Sequence, residues 1–571
     1  MFKLIRFLKG YRVQAVIAPL FKFTEALFEL IIPLLVAEIV DVGIGGGDSS
    51  HVIKYGVAMI ALGAVGLGFS LSCQYLAAVS STGYGTNLRK AMFSHINSLS
   101  FAELDGIGSS SLLTRITADV NQTQTAVAMF IRLITRVPFI VIGSAVMAFT
   151  IDVRLAVIFV VGAVVISAIL FVIMRVTMPS YRKVQKRLDE VGELTEENLT
   201  GSRVVRAFSR QDEERRDFAE ATDRLTKVSE SVGKLSALLN PLTYVVINAC
   251  VIAVIAFGGY TVFDGAITQG ELIALVNYLS QILLALIVFA NLIVTFTKAS
   301  ASASRINEVF ALAPSIEDGS DAAPSPIEGA PKVEFDGVGF SYNADRLSLK
   351  DVSFRLESGM TLGIIGATGS GKSTLVNLIP RFYDASVGTV KVDGVNVKDY
   401  PLKALREKVG IVAQKTGLFS GTVRDNMRMG NEDITDETIV SALKAAQAYD
   451  FVRALEGFLD APVAAGGKNF SGGQRQRLTI ARALAKSPEI LILDDSSSAL
   501  DTLTDRNLRQ ALKEIKGLTS IIVSQRCGSI RRADTILVLE DGETVGMGTH
   551  EELYDNCEVY REICLSQGVG V

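Results

Sequence analysis

"TLGIIGATGSGKSTLVNLI", residues 361–379, starts as an apolar strand, turns at Gly366 and enters a helix after Gly371. Gly366, Gly371, Lys372 and Ser373 stand at the spacing G-x-x-x-x-G-K-[ST]. In such a loop the glycines let backbone N–H groups close around phosphate oxygens, and the following helix N-terminus adds its dipole. Thr368, Gly369 and Ser370 fill the loop, and Thr374 opens the helix behind it. Lys372 is expected to reach the terminal phosphates of a nucleotide, and Ser373 to offer its hydroxyl to Mg²⁺. The strand–loop–helix context makes a nucleotide with Mg²⁺ the expected ligand.

Downstream, "ILILDD" (490–495) reads as a second buried strand whose last residues are two aspartates. Asp494 is well placed for the metal. Between the two strands, "NFSGGQRQRLTIARAL" (469–484) sets Ser471, Gly472 and Gly473 before an arginine-rich helix start, a second potential phosphate cradle. One chain does not need two cradles around one nucleotide. Two chains arranged head to tail would each offer one to the other.

Upstream, "APSIEDGSDAAPSPIEGAP" (313–331) is rich in Pro, Ala, Gly and acids and reads as a linker, leaving residues 332–571 as an α/β domain. Residues 1–312 have a different character. Six apolar stretches, at about 13–40, 53–80, 131–151, 154–175, 242–263 and 272–297, are long enough to cross ~30 Å of hydrocarbon. Their connections alternate short and long. Thirteen lysines and arginines lie between Arg175 and Lys234, whereas the short loops carry almost none. By the positive-inside tendency the long loops, both termini and the α/β domain face the cytoplasm of a bacterial cell. The basic start "MFKLIRFLKGYR" reads as an interfacial helix.

The whole chain, 571 residues with 49% hydrophobic and 20% charged, suits such a division, and its net charge of −4 averages two unlike halves. No nucleic-acid partner is expected. Five scattered cysteines (Cys73, Cys250, Cys527, Cys557, Cys564) read as reduced thiols without a disulfide framework, and three histidines make a histidine-rich metal site unexpected. In the first span Lys22, Glu25 and Glu29 share one helix face. They form either an internal pair that fixes packing or a polar patch on a translocation path with a carboxylate left for a cationic substrate. Asn248, Asn277, Gln281 and Asn291 in the last two spans are weaker candidates for such a path, since amides also join helices.

The order of the P-loop, "VAQKTGLF" (412–419), "FSGGQ" (470–474), "LILDD" (491–495) and "SALD" (498–501) resembles an ABC ATPase. With six preceding spans, the chain resembles the ABC exporter half-transporters of the multidrug type over nearly its whole length. "GELTEENLTGSRVVRAFSRQDEE" (192–214) is similar to that family's second intracellular loop, whose coupling helix docks on the partner's ATPase domain, and "LLTRITADVNQ" (112–122) to part of the first. The resemblance implies that Tyr342 in "GFSY" stacks on adenine and that Gln414 senses metal and γ-phosphate. It further implies that Ser471, Gly472, Gly473 and Gln474 form the signature motif and that Asp501 is the D-loop acid.

Three positions depart from that pattern. The residue after Asp494 is Asp495, where the family has the Glu that orients the attacking water. "SIIVSQRCGSI" (520–530) puts Gln525 where a switch histidine contacts the γ-phosphate. Ala465 occupies the place of a cross-talk Glu. A carboxylate displaced by about 1 Å can cost on the order of 10²-fold in rate. The expectation is therefore a subunit that moves drug- or lipid-like amphipathic compounds and whose own site holds ATP but hydrolyses it slowly. Its signature would complete the site of a different half-transporter that carries the Glu and the His. A homodimeric exporter and an ATP-sensing membrane subunit without transport are the alternatives.

Overall fold

A computed structural model describes residues 1–319, 324–342, 347–415, 417–496 and 500–568. Residues 320–323 of the expected linker, Thr416 of "VAQKTGLF" and Ser498 and Ala499 of "SALD" lie outside the described residues. The chain divides into two compact units, one of Met1–Asn97 with Ser109–Leu312, the other of Ser98–Gly108 with Ala313–Val571.

The first unit is helical. Among the described residues five helical stretches are long and apolar enough to cross a membrane: Ser49–Ser98, Ser109–Ile151, Val153–Thr200, Gln211–Phe263 and Gln269–Ala311. The helix Arg12–Glu38, with 27 residues, is long enough to make a sixth crossing but carries Lys22, Glu25 and Glu29 in its interior. Short polar turns start these helices. The Asp152 carboxylate accepts from the Leu155 N–H at 2.8 Å, and Thr268 and Glu271 form a reciprocal capping box. The core of this unit gathers around the buried Tyr278, Leu275, Leu279, Phe159 and Ile166. The N-terminal stretch folds as a short 3₁₀ helix, Phe2–Leu8, that the Asn87 amide ties down by donating to the Phe7 and Lys9 carbonyls.

Polar groups inside the spans bind one another. The Lys22 ammonium donates to the Glu25 carboxylate at 2.6 and 2.7 Å and to the Ser70 hydroxyl at 3.3 Å. Glu29 accepts from the Arg136 guanidinium at 3.0 Å, and its carbonyl accepts from the Gln281 amide at 3.2 Å. Glu25 and Glu29 thus each have a cation of this chain beside them. Closing ion pairs inside the bundle is what a low-dielectric surround demands. Asn248, Asn277 and Asn291 are exposed on the surface of this chain, and the Asn277 amide donates to the carbonyl one turn back.

The second unit is α/β. Strands β1 (Val333–Phe340) and β2 (Leu349–Leu356) join β4 (Val387–Val392) and β5 (Val395–Asn396) in an antiparallel sheet, ordered β2-β1-β4-β5. The larger sheet contains β3 (Thr361–Ile365), β6 (Val409–Val412), β9 (Ile490–Asp494), β10 (Thr519–Val523), β11 (Thr535–Glu540) and β12 (Glu543–Gly548). Its order is β12-β11-β3-β10-β9-β6, parallel except for the β11–β12 hairpin. A two-stranded ribbon, β7 (Gly421–Thr422) with β8 (Pro462–Val463), completes the set. The central strands β9 and β10 are buried at every position, which explains their unbroken apolar sequence: covered on both faces, they need no polar side.

Candidate nucleotide site

Strand order decides which loops meet. Chain segments far apart in sequence become neighbours because β3, β10, β9 and β6 lie side by side and parallel. Their C-terminal ends deliver, in that order, the P-loop, Gln525, the Asp494–Asp495 pair and Gln414. Parallel α/β sheets bind ligands at this edge, because crossover helices place loops and helix N-termini there.

The P-loop runs from β3 to the helix Lys372–Leu378. Gly371 caps that helix in the left-handed region at φ 94°, and a Cβ there would lie 2.8 Å from the Ser348 carbonyl oxygen. At Gly366 a Cβ would come within 2.1 Å of the Leu539 carbonyl oxygen. Both positions therefore require glycine, which lets the backbone turn there. The Lys372 ammonium folds back to donate to the Gly366 carbonyl at 2.9 Å, the Ala367 carbonyl at 2.6 Å and the Ser370 hydroxyl at 3.2 Å. Burial lowers its pKa, and the charges of Asp494 and Asp495 oppose that effect.

Ser373, exposed at the loop's edge, donates its hydroxyl to Asp494 Oδ1 at 3.1 Å. Asp494 is 7% exposed, and burial pushes its carboxyl above the usual carboxylate range. The hydrogen bond from Ser373 and the charge of Lys372 hold that rise back, while the charge of Asp495 adds to it. A divalent cation between Ser373 and Asp494 would relieve this carboxylate, so the oxygen donors present suit Mg²⁺. The Gln414 amide donates to Asp495 Oδ2 at 3.5 Å. Asp495 has φ 46°, a left-handed conformation that Asp adopts more readily than most residues.

Tyr342 is half exposed, with its hydroxyl 3.2 Å from the Thr374 hydroxyl and its ring edge-on to Phe340 and Tyr383. Tyr383, which no sequence motif announces, donates its hydroxyl to Asp105 Oδ2 at 2.6 Å. Phe101 lies 4.6 Å from Phe382 between ring centroids, and the Ser100 hydroxyl accepts from the Ile316 N–H at 3.1 Å. The short helix Phe101–Ile107 is thereby built into the α/β unit beside the aromatic that the resemblance assigns to adenine.

Ser471 and Gln474 form a capping box at the start of the helix Gly472–Ala485, and Ser471 and Gly472 are exposed. The Asp501 carboxylate caps the helix Thr502–Lys513 by accepting from the Thr504 N–H at 2.9 Å, which lowers its pKa. Ala465 is exposed in a 3₁₀ turn and offers no carboxylate. Gln525 is exposed, and its carbonyl accepts from the Gln567 amide at 2.8 Å.

One sequence expectation fails here. Cys527 and Cys564 are bonded as a disulfide, while Cys73, Cys250 and Cys557 are free. The two cysteines are 37 residues apart, in segments that only the tertiary fold brings together, so spacing gave no sign of the pair. His550 joins them in a buried cluster.

The family model for the ABC transporter transmembrane region matches residues 15–286, and the ABC transporter model matches residues 349–498. An ABC transporter ATP-binding protein of Mycobacterium tuberculosis (strain CDC 1551 / Oshkosh) is 37% identical, covering 98% of this chain and 97% of its own. An ATP-dependent lipid A-core flippase of Syntrophus aciditrophicus (strain SB) is 33% identical, over 84% of this chain and 80% of its own. Among solved structures, a bacterial Atm1-family ABC exporter with ATP bound has the same fold, with a TM-score of 0.80 at 24% identity over 99% of both chains.

Proposed function

The chain belongs to the ABC transporters as a half-transporter with transmembrane and ATP-binding regions fused, and on that premise we propose that it is the slow-hydrolysing subunit of a two-chain exporter. The observation that carries this reading is the pairing of Asp495 and Gln525, on the adjacent strand ends of β9 and β10, with an exposed, regular signature helix start. The parts that bind ATP are kept. The P-loop backbone and Lys372 would hold the phosphates, Ser373 and Asp494 the Mg²⁺, and Tyr342 the adenine face. Bound there, Mg²⁺ would supply charge neutralisation at the phosphates.

Hydrolysis requires in-line attack of water on the γ-phosphate, with a group that orients the water. Asp495 has the right chemistry on a stem one methylene shorter than Glu, and Gln525 offers a hydrogen bond without an imidazole's proton. Both changes weaken the same step. The partner chain would carry the Glu and the His, and this chain's Ser471, Gly472, Gly473 and Gln474 would complete its site. The translocated compound would be amphipathic: the resemblance to the flippase favours a lipid-like molecule. The intramembrane ion pairs argue against a simple cation, because Glu25 and Glu29 are already neutralised.

The test is steady-state ATPase activity and ATP binding of the chain purified alone, beside Asp495→Glu/Gln525→His. The expected result is ATP binding with turnover well below one per second, and a gain on the order of tenfold or more in the double variant. Turnover of several per second by the unaltered chain would sink the slow-site reading and favour a homodimer. ATP binding without vesicle flux in the assembled pair would favour a sensor.

A further inference from the structure

The switch loop and the C-terminal helix are joined twice. Gln567, just past the helix Glu558–Ser566, spans the loop like a clip: its amide donates to the Gln525 carbonyl at 2.8 Å, and its Oε1 accepts from the Cys527 N–H at 2.8 Å. Beneath that clip Cys527 bonds to Cys564, and both are fully buried. A single residue, Arg526, separates Gln525, at the γ-phosphate switch position, from a covalent tie to the last helix. Around the pair stand Tyr560, whose hydroxyl lies 3.5 Å from Cys527 Sγ, and His550, whose Nδ1 lies 2.7 Å from that hydroxyl. His550 is 6% exposed and its Nε2 is buried without a partner.

We propose that Cys527 and Cys564 form a reversible dithiol–disulfide site that sets the freedom of the Gln525 loop and thereby the ATPase cycle. An ATPase domain works where ATP is made and thiols are kept reduced, and disulfides in such compartments are mostly transient or sensing. The position supports sensing over bracing. The bond lies within an already packed subdomain and lands two positions from the switch residue, where making or breaking it acts on that loop. The opening route is local: Cys564 lies in the last turn of its helix, where fraying costs least.

The chemistry is thiol–disulfide exchange with a low-molecular-weight disulfide, RSSR. One protein thiolate attacks RSSR, forming a mixed disulfide and expelling RS⁻. The second thiolate attacks the protein sulfur of that mixed disulfide and expels the other RS⁻. The protein loses two electrons and two protons, and RSSR becomes two RSH. The oxidised form holds the loop against the C-terminal helix, and the reduced form leaves only the Gln567 clip.

The regulatory half rests on Gln525 being the switch position, as proposed above, and the covalent half does not. The experiment uses the full chain in nanodiscs, equilibrated in oxidised or reduced glutathione, then trapped with N-ethylmaleimide and mapped by mass spectrometry. The expected result is a Cys527–Cys564 peptide in the oxidised sample and two alkylated thiols in the reduced one, with Cys557 alike in both. ATPase turnover of the assembled transporter should then differ by about fivefold or more between the two forms. Cys564→Ser should lose that dependence, and the oxidised and reduced wild-type samples give the same answer without any variant. Failure to form the bond, or one equivalent of zinc shielding both thiols, overturns the covalent site. Bond formation with equal turnover in both forms overturns the regulation and leaves the slow-site reading standing.

Discussion

Strand β9 has two chemically opposed ends. Before its first residue, Glu489 meets Lys332, Lys408 and Asp393 in a closed quartet: Lys332 donates to Asp393 at 2.6 Å and also to Glu489, and Lys408 bridges the same two acids at 2.9 and 3.0 Å. Two cations answer two anions. Four buried residues later the strand ends at Asp494 and Asp495, beside Lys372, whose ammonium donates to three loop oxygens. The first end is saturated and can only hold the domain together. The second keeps acidity in reserve, so a bound cation has something to gain there.

Breaking the closed end should have the largest effect. Asp393→Asn leaves two lysines with only Glu489 to share, and removal of one member of a buried ion network costs about 3 kcal/mol. Chemical unfolding of the purified chain should show that loss, with ATP affinity unchanged. The quartet also has a pH signature. Burial alone would raise the Asp393 carboxyl, but hydrogen bonds from Lys332 and Lys408 outweigh it, and its pKa lies below the ordinary value. An acid lowered in the folded state stabilises at pH above its unfolded value of about 3.9. That contribution fades as pH falls through the folded pKa. Acid unfolding curves of the wild type should therefore converge on those of Asp393→Asn below about pH 4.

At the open end, Lys372→Ala should weaken ATP binding by about a hundredfold, the worth of a charge-assisted contact to phosphate, with little change in unfolding. Asp494→Asn should do the reverse of its counterpart. Its carboxyl is raised by burial, which the Ser373 hydrogen bond and the Lys372 charge only partly offset, so burial disfavours its charge and the sign of its pH dependence is opposite. Removing that charge should stabilise the nucleotide-free chain slightly, by under about 1 kcal/mol, while abolishing the Mg²⁺ dependence of ATP binding seen by calorimetry. A destabilised Asp494→Asn would erase the contrast between the two ends.

The legible parts of this molecule were those written in consecutive residues. The P-loop announces its own turn because Gly366 and Gly371 sit where a Cβ collides, and "ILILDD" announces a buried strand with an acidic end. Lys22 and Glu25, one helical turn apart, could be paired on paper. Glu29 and Arg136 could not, because 107 residues separate them and only helix packing sets them side by side. The same holds for Cys527 with Cys564, for Gln567 with the Gln525 loop and for Tyr383 with Asp105: each is a contact between elements whose adjacency follows from topology, not from local pattern.

That last contact has a practical side. The segment Ser98–Gly108 belongs to the α/β unit although it comes from the middle of the helical sequence. An excised ATPase beginning at residue 313 would leave out Ser100, Phe101 and Asp105, uncovering the Phe382 ring and depriving the Tyr383 hydroxyl of its acceptor. The tyrosine that abuts Tyr342 would then stand in a different environment. Nucleotide affinities measured on such a fragment would describe a trimmed protein. Grafting residues 98–108 onto its N-terminus would restore the missing piece of its surface.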